Sequence, residues 1–164
     1  MRRAFFSLLL LISFCATLSS AAFGDAFDTV GAREYVDPEL LRAIAKQESG
    51  MHQYALNCAG KAYYPANIQE AMKILRGYDQ LICDVGIMQI NYSWNALHRK
   101  ISVVELFDVE KNITVAAQIL KENMSGTKNS WKAVGRYHTW KHTSNAKRYA
   151  WKVYRHYVAL KEGS

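Results

Sequence analysis

Apolar residues recur at three- and four-residue intervals through most of this chain, and this periodicity restricts the possible folds more than any other feature. Leu41 and Ile44 begin one such stripe, and Glu48 lies in register with them. Asp37, which a proline follows, is typical of a helix N-cap, and Gly50 is typical of a helix end. These signals predict an amphipathic helix between residues 37 and 50.

Similar stripes and caps predict helices along the rest of the chain. Phe27 and Val30 indicate a short helix that ends before Tyr35. Residues 87–91 form too short and mixed a segment for a helix, and they favour a turn or a short extended piece. The remaining predicted helices, each given by its cap and its apolar face, are Asn67 with Glu70, Ile68, Ala71, Met72 and Leu75; Asp108 with Ile113, Ala116, Ala117, Leu120 and Met124; Ser130 through Tyr137; and Ser144 with Ala146, Tyr149, Ala150, Val153, Tyr157 and Leu160.

The length and composition of the chain suit one compact domain. It has 164 residues, of which 50% are hydrophobic and 21% are charged, so a sizeable core is available and disorder is disfavoured. We find no internal repeat, linker or low-complexity tract. The predicted fold is therefore all-α, with an α-dominated α+β fold as the alternative.

The first 22 residues have the layout of a secretory signal peptide. Arg2 and Arg3 precede an apolar run over residues 4–14, and the small residues Ser20 to Ala22 supply a cleavage site. Cleavage after Ala22 would leave a mature domain over residues 23–164 in the periplasm, without a stable membrane anchor. The alternative is an uncleaved anchor, since the same stretch is just long enough to span a bilayer.

Export also determines how the three cysteines are interpreted. Cys15 lies within the predicted signal peptide, which leaves Cys58 and Cys83 in the mature chain. Two cysteines in an exported domain indicate one disulfide bond. Two separate thiols are the alternative.

The formal net charge of +7 favours an anionic partner, such as cell-wall polymer or a membrane surface. Nucleic acid is disfavoured because the protein is exported and its basic residues are scattered. His138 and His142 have a spacing that metal sites use on helices, but no third ligand is evident. Two cysteines are too few for a structural zinc site. We therefore expect neither a metal nor a cofactor.

Glu48 is the first candidate for a catalytic residue. It lies on an apolar helix face near the C-terminal end, where burial and the helix dipole both disfavour a negative charge. Both effects raise a carboxyl pKa toward the range that a general acid needs at neutral pH. A glutamate at the edge of the stripe, exposed or paired with Arg42, would occupy the same position without any catalytic role.

Three short motifs accompany Glu48 and carry a resemblance to a known family. The chain has Gln-Glu-Ser-Gly at Gln47–Gly50, Gly-Ile-Met-Gln-Ile-Asn at Gly86–Asn91 and Ala-Val-Gly-Arg-Tyr-His at Ala133–His138, followed by Tyr149. In this order they resemble the catalytic domain of lytic transglycosylases, the lysozyme-like family named after soluble lytic transglycosylase. The resemblance spans roughly residues 27–157, and the second motif is its most specific part.

The resemblance implies a lysozyme-like fold with a substrate cleft, and it assigns roles to individual residues. Glu48 matches the catalytic glutamate of the family. His138 departs from the pattern, because the family often has asparagine at that position. The residues that the resemblance places at the saccharide are Ser49, Gln89, Asn91, Tyr137, His138 and Tyr149.

The implied reaction cleaves the β-1,4 bond between N-acetylmuramic acid and N-acetylglucosamine in peptidoglycan glycan strands. Glu48 would act first as acid and then as base, and the product would be a 1,6-anhydro sugar. The long segment between Gly50 and Gly86 with its cysteine pair, the small size and the signal peptide resemble the branch that serves secretion, conjugation and pilus machines. Such a machine is the expected partner.

Two other functions remain open at this point. Asp84 lies two residues before Gly86, and a second carboxylate in the cleft would allow a hydrolytic muramidase of goose-lysozyme type. We favour a loop-capping role for Asp84. A wall-binding component of a secretion machine without catalytic activity is the third possibility. Among the tryptophans, Trp131 and Trp151 are predicted to lie in the core, while Trp94 and Trp140 could be core residues or sugar platforms.

Overall fold

The computed structural model describes residues 26–127 and 130–163, and the predicted signal peptide lies outside them. Within these ranges no helix is both long and apolar enough to cross a membrane. The helices are α1 (residues 26–34), α2 (Pro38–Ser49), α3 (Ile68–Leu75), α4 (Val109–Ser125), α5 (Ser130–His138) and α6 (Thr143–Glu162). The strands are β1 (Leu56–Cys58), β2 (Lys61–Tyr63), β3 (Cys83–Val85) and β4 (Ile90–Asn91). Short 3₁₀ turns cover Gln80–Ile82, Leu97–Arg99 and Glu105–Phe107, and a π-helical turn covers Tyr92–Ala96.

Helices dominate the described chain, and the four strands form one small antiparallel sheet in the order β2-β1-β3-β4. The predicted α-dominated fold is therefore confirmed, with the sheet as its minor β component. The segment predicted as a turn or short extended piece is a turn over residues 86–89 that leads into β4. The sheet follows the C-terminal end of α2 in the chain.

The ends of α2 form as their sequence signals predict. The side chain of Asp37 accepts a hydrogen bond of 2.9 Å from the amide of Glu39 and so caps the first turn. Gly50 adopts φ +63°, and its amide bonds back to the carbonyls of the last turn. Helix α2 therefore ends at Ser49, directly after Glu48.

The start of α6 differs from the prediction. The helix begins at Thr143, and its first turn closes when the amide of Ala146 donates to the carbonyl of His142 at 2.9 Å. His142 precedes the helix without any side-chain cap, so the predicted cap at Ser144 is wrong. Ser130, which is also predicted as a cap, is instead the first residue of α5.

Helix α6 packs against both α2 and α5, and α5 packs against α4, so these helices enclose the core. The hydroxyl of Tyr157 on α6 donates to Asp37 at 2.7 Å and ties the two helices together. Tyr149, Ala150 and Val153 point inward. Trp151 lies on the opposite face of the same helix and is 61% exposed, so its predicted place in the core is wrong. Trp131 is partly buried against the core.

A disulfide bond joins Cys58 of β1 to Cys83 of β3, as predicted. The two residues are directly paired in the antiparallel register, with their Cα atoms 4.2 Å apart. The two cysteines are 25 residues apart in the sequence, and the bond closes a loop that contains β2 and α3. It therefore fixes β3, which leads into the turn at residues 86–89, to the strand that follows α2.

We expect the double variant Cys58→Ser, Cys83→Ser to fold with a free energy of unfolding lowered by about 3–4 kcal/mol, because the unfolded chain regains the entropy of the closed loop. Urea denaturation of the oxidised wild type and the variant measures this difference. Under a reducing agent the two proteins should unfold at nearly the same urea concentration. A difference that persists after reduction would assign the loss to packing of the serine side chains instead.

Candidate active site

The side chain of Asn112 on α4 holds the turn at residues 86–89 in place. It is fully buried; its amide nitrogen donates to the carbonyls of Val85 at 3.0 Å and Leu106 at 2.8 Å. Its carbonyl oxygen accepts from the amide of Met88 at 2.8 Å. One buried side chain thus bonds to three backbone groups, at the end of β3, in the turn and in the 3₁₀ turn before α4.

Gly86 is the residue that lets this turn approach Asn112. Its backbone adopts φ +84°, a conformation that residues with a side chain rarely adopt. A Cβ atom there would lie 2.4 Å from the amide nitrogen of Asn112 and 2.5 Å from the carbonyl oxygen of Leu106. Any larger residue would therefore displace the turn from α4.

Ser49 and Tyr137 both bond to backbone carbonyls of this same turn. The buried hydroxyl of Ser49 donates to the carbonyl of Ile87 at 2.7 Å. The hydroxyl of Tyr137 on α5 donates to the carbonyl of Met88 at 2.9 Å. The turn is thus bonded to α2 through Ser49, to α4 through Asn112 and to α5 through Tyr137. These bonds hold the turn in place.

Glu48 lies at the end of α2 and faces an open cleft of about 310 Å³, lined by Gln47, Glu48, Ser49, Gly50, His52 and Tyr64. Its Oε1 accepts a hydrogen bond of 2.5 Å from the hydroxyl of Tyr149 on α6. Burial raises the pKa of Glu48 to about 7; the hydrogen bond from Tyr149 opposes this rise, and the negative charge of Asp84 adds to it. Both the protonated and the ionised form of the carboxyl are therefore populated near neutral pH.

Asp84 faces the same site, which overturns the favoured loop-capping role. It lies within β3 rather than in a loop, and its Oδ1 accepts a hydrogen bond of 2.8 Å from Asn91 on the paired strand β4. Burial raises the pKa of Asp84, while Asn91 and the charge of His138 lower it. Since its charge also reaches Glu48, the site holds two electrostatically coupled carboxyl groups.

Gln89 and Asn91 direct their side-chain amides toward the protein. Gln89 adopts φ +49°, a conformation that residues other than glycine rarely take, and its amide donates to the carbonyls of Gly86 at 2.9 Å and Ala55 at 3.1 Å. Asn91 donates to Asp84 and accepts from the amide of Trp94 at 3.0 Å, where it caps the π-helical turn. Both residues shape the edge of the site.

His138 covers Tyr149 from the side of α5. The two rings stack with centroids 4.8 Å apart and planes within 5°. Burial lowers the pKa of His138, so the imidazole is mostly neutral near pH 7. Burial and the nearby charge of Glu48 raise the pKa of Tyr149 well above its ordinary value, which keeps its hydroxyl a donor to Glu48.

Three residues of this region carried no signal in the sequence. In the sequence, Asn112 is a single polar residue within a predicted helix. Two of the groups to which it bonds, in Val85 and Met88, are distant from it in the sequence. His52 and Tyr64 line the cleft, with their ring centroids 5.1 Å apart.

Comparison with known proteins agrees with this geometry. The chain belongs to the Transglycosylase SLT domain family, whose pattern matches residues 25–154. It is 28% identical over 142 residues to Protein IpgF of Shigella sonnei, covering 83% of this chain and 81% of that protein. It is 33% identical over 137 residues to Invasion protein IagB of Salmonella typhi, covering 79% of this chain and 72% of that protein. Protein IpgF of Shigella flexneri is also 28% identical.

We expect Glu48→Gln to be more stable than the wild type above pH 7, by about 1–3 kcal/mol. The folded-state pKa of Glu48 lies above its ordinary value of 4.5, so ionisation disfavours the folded state. The wild type therefore loses stability as pH rises from about 4.5 to about 7, whereas glutamine does not titrate. Urea denaturation at pH 5 and pH 8 measures the effect; an equal stability difference at both pH values would contradict it.

Proposed function

We propose that this protein is a peptidoglycan lytic transglycosylase that cleaves the bond between N-acetylmuramic acid and N-acetylglucosamine. The observation that carries the proposal is the state of Glu48, whose pKa of about 7 lets one carboxyl group both donate and accept a proton at neutral pH. Membership of the Transglycosylase SLT domain family supports the substrate class.

Tyr149 determines which carboxyl oxygen of Glu48 carries the proton. Its hydroxyl donates to Oε1, so in the neutral acid Oε1 is the carbonyl-type oxygen and the proton resides on Oε2. Tyr149 therefore orients the acid proton while its own high pKa keeps it from ionising. Tyr149 acts on Glu48 as a positioning residue.

The reaction then needs one group in two successive roles. Protonated Glu48 donates from Oε2 to the glycosidic oxygen, the bond from that oxygen to the anomeric carbon of muramic acid breaks, and N-acetylglucosamine leaves as an alcohol. The 6-hydroxyl of the muramic acid bonds to the same carbon, and ionised Glu48 accepts its proton. The carboxyl is restored, no water is consumed, and the product ends in 1,6-anhydromuramic acid. Proton transfer of this kind typically contributes about 10²–10⁴-fold in rate.

The aromatic residues beside Glu48 suit a sugar polymer. Tyr64 is 60% exposed, and its ring lies against that of His52 on one wall of the cleft. Exposed aromatic faces bind the apolar faces of sugar rings, and their edges leave the hydroxyl groups accessible. The cleft is open to solvent, so a long glycan strand can reach it.

We expect Glu48→Gln to lower the rate of peptidoglycan cleavage by at least about 100-fold while the fold is kept, because glutamine cannot donate or accept the proton. Mass spectrometry of muropeptides released from purified sacculi measures both rate and product. Glu162→Gln, at the exposed end of α6, is the matched control and should digest at the wild-type rate. The wild type should release 1,6-anhydro ends.

Undiminished cleavage by Glu48→Gln would show that Glu48 is not the catalytic acid and base. The absence of any cleavage by folded wild type would favour a wall-binding component without catalytic activity. Reducing ends in place of anhydro ends would favour hydrolysis.

Hydrolysis is the second candidate because Asp84 lies in the site with Glu48. In a muramidase, Asp84 would have to be ionised to activate water or bond to the sugar, and Asp84→Asn would abolish cleavage. In a transglycosylase, Asp84→Asn removes a charge that raises the pKa of Glu48. We then expect retained activity, with the alkaline limb of the pH–rate profile shifted to lower pH. A pH profile of the variant distinguishes the two candidates.

We further propose that the protein acts in the periplasm and opens local gaps in the wall for a secretion, conjugation or pilus machine. The signal-peptide pattern supports export. The similarity to a protein named for invasion supports a role with an envelope-spanning assembly. We expect N-terminal sequencing of the exported protein to begin at Phe23; a protein that retains Met1 would indicate an anchor.

A further inference from the structure

A groove of about 760 Å³ lies between α5 and α6 and shares no lining residue with the cleft at Glu48. We propose that this groove is the docking site for an acidic, amphipathic helix of a partner protein. The proposal rests on the shape of the groove, on its aromatic walls and on the charge around it. It concerns binding and does not depend on the reaction proposed for Glu48.

Two aromatic walls bound the groove. Tyr154 stacks on Trp151 with centroids 5.4 Å apart and meets Trp131 edge-on at 5.1 Å. On the other wall, the guanidinium of Arg136 lies 4.4 Å from the ring centroid of Trp140. Each ring is held by a neighbour, so the walls are formed before any partner arrives. Walls that are formed in advance reduce the entropy lost on binding.

Small residues form the floor of the groove. A Cβ atom at Gly135 would lie 2.8 Å from the carbonyl oxygen of Ala146, so α5 and α6 approach closely at this point. Ala146 and Ala150 add little bulk. The result is an apolar trough between two aromatic walls, a shape that receives the row of side chains on one face of a helix at i, i+3, i+4 and i+7 spacing.

The charge around the groove determines the chemistry of the partner. Residues 130–163 contain eight lysines and arginines and one acidic residue, Glu162. Lys132, Arg136 and Lys147 line the groove itself. A helix with carboxylates beside its apolar stripe matches this surface, whereas a second copy of the chain would bring like charges together.

The other occupants fit the groove less well. A lipid surface binds convex apolar faces that enter the bilayer, and this apolar surface is a trough. A neutral glycan strand offers no carboxylates to the basic side chains of the lining, such as Arg136 and Lys147. A protein helix satisfies its backbone hydrogen bonds internally and can present both apolar side chains and carboxylates.

Selection from a displayed library of amphipathic helical peptides tests the proposal, with the mature wild-type protein as bait. We expect enrichment of peptides that carry an apolar stripe flanked by aspartate and glutamate. A synthesised enriched peptide should lose at least about tenfold in affinity to Trp151→Ala and to Lys147→Glu, measured by fluorescence anisotropy. Its affinity should also fall as salt concentration rises.

Trp94→Ala is the matched control, since Trp94 is 79% exposed outside the groove and its loss should leave the affinity unchanged. Thermal unfolding of each variant checks that the fold is kept. The proposal is overturned if no acidic amphipathic peptide is enriched, or if enriched peptides bind Trp151→Ala as tightly as wild type. It is equally overturned if Trp151 is needed instead for binding phosphatidylglycerol vesicles or chitin oligosaccharides, or for self-association in sedimentation.

Discussion

The three hydrogen bonds of Asn112 are the interaction on which the rest of the site depends. They hold the turn between β3 and β4 against α4. The free carbonyls on the other side of this turn then receive the hydroxyls of Ser49 and Tyr137. One buried amide therefore holds the turn to which both α2 and α5 are bonded.

The sequence predicts the parts of this arrangement that are local. The caps at Asp37 and Asn67 and the glycine end of α2 are confirmed, because each depends on residues within one turn of the helix. The apolar position of Glu48 is equally visible, since it follows from the periodicity of α2 alone. The family resemblance adds the order of the motifs, and the family is confirmed by the match over residues 25–154.

What the sequence does not predict depends on orientation or on distant contacts. Asp84 precedes the turn motif and suggests a loop cap, yet the pairing of β3 with β1 and β4 directs it to the site. Trp151 is predicted to lie in the core, yet it lies on the outward face of α6. Asn112 bonds to Met88 across 24 residues, and no local pattern indicates such a bond.

Gly86 shows how little variation this architecture tolerates. Two constraints restrict this position to glycine. Its positive φ disfavours any residue with a side chain, and a Cβ atom would collide with the side-chain amide of Asn112. A single added carbon would move the turn, and the two carbonyls that orient α2 and α5 would move with it. The position of Glu48 therefore depends partly on the absence of a side-chain carbon at Gly86, a residue that does not line the cleft.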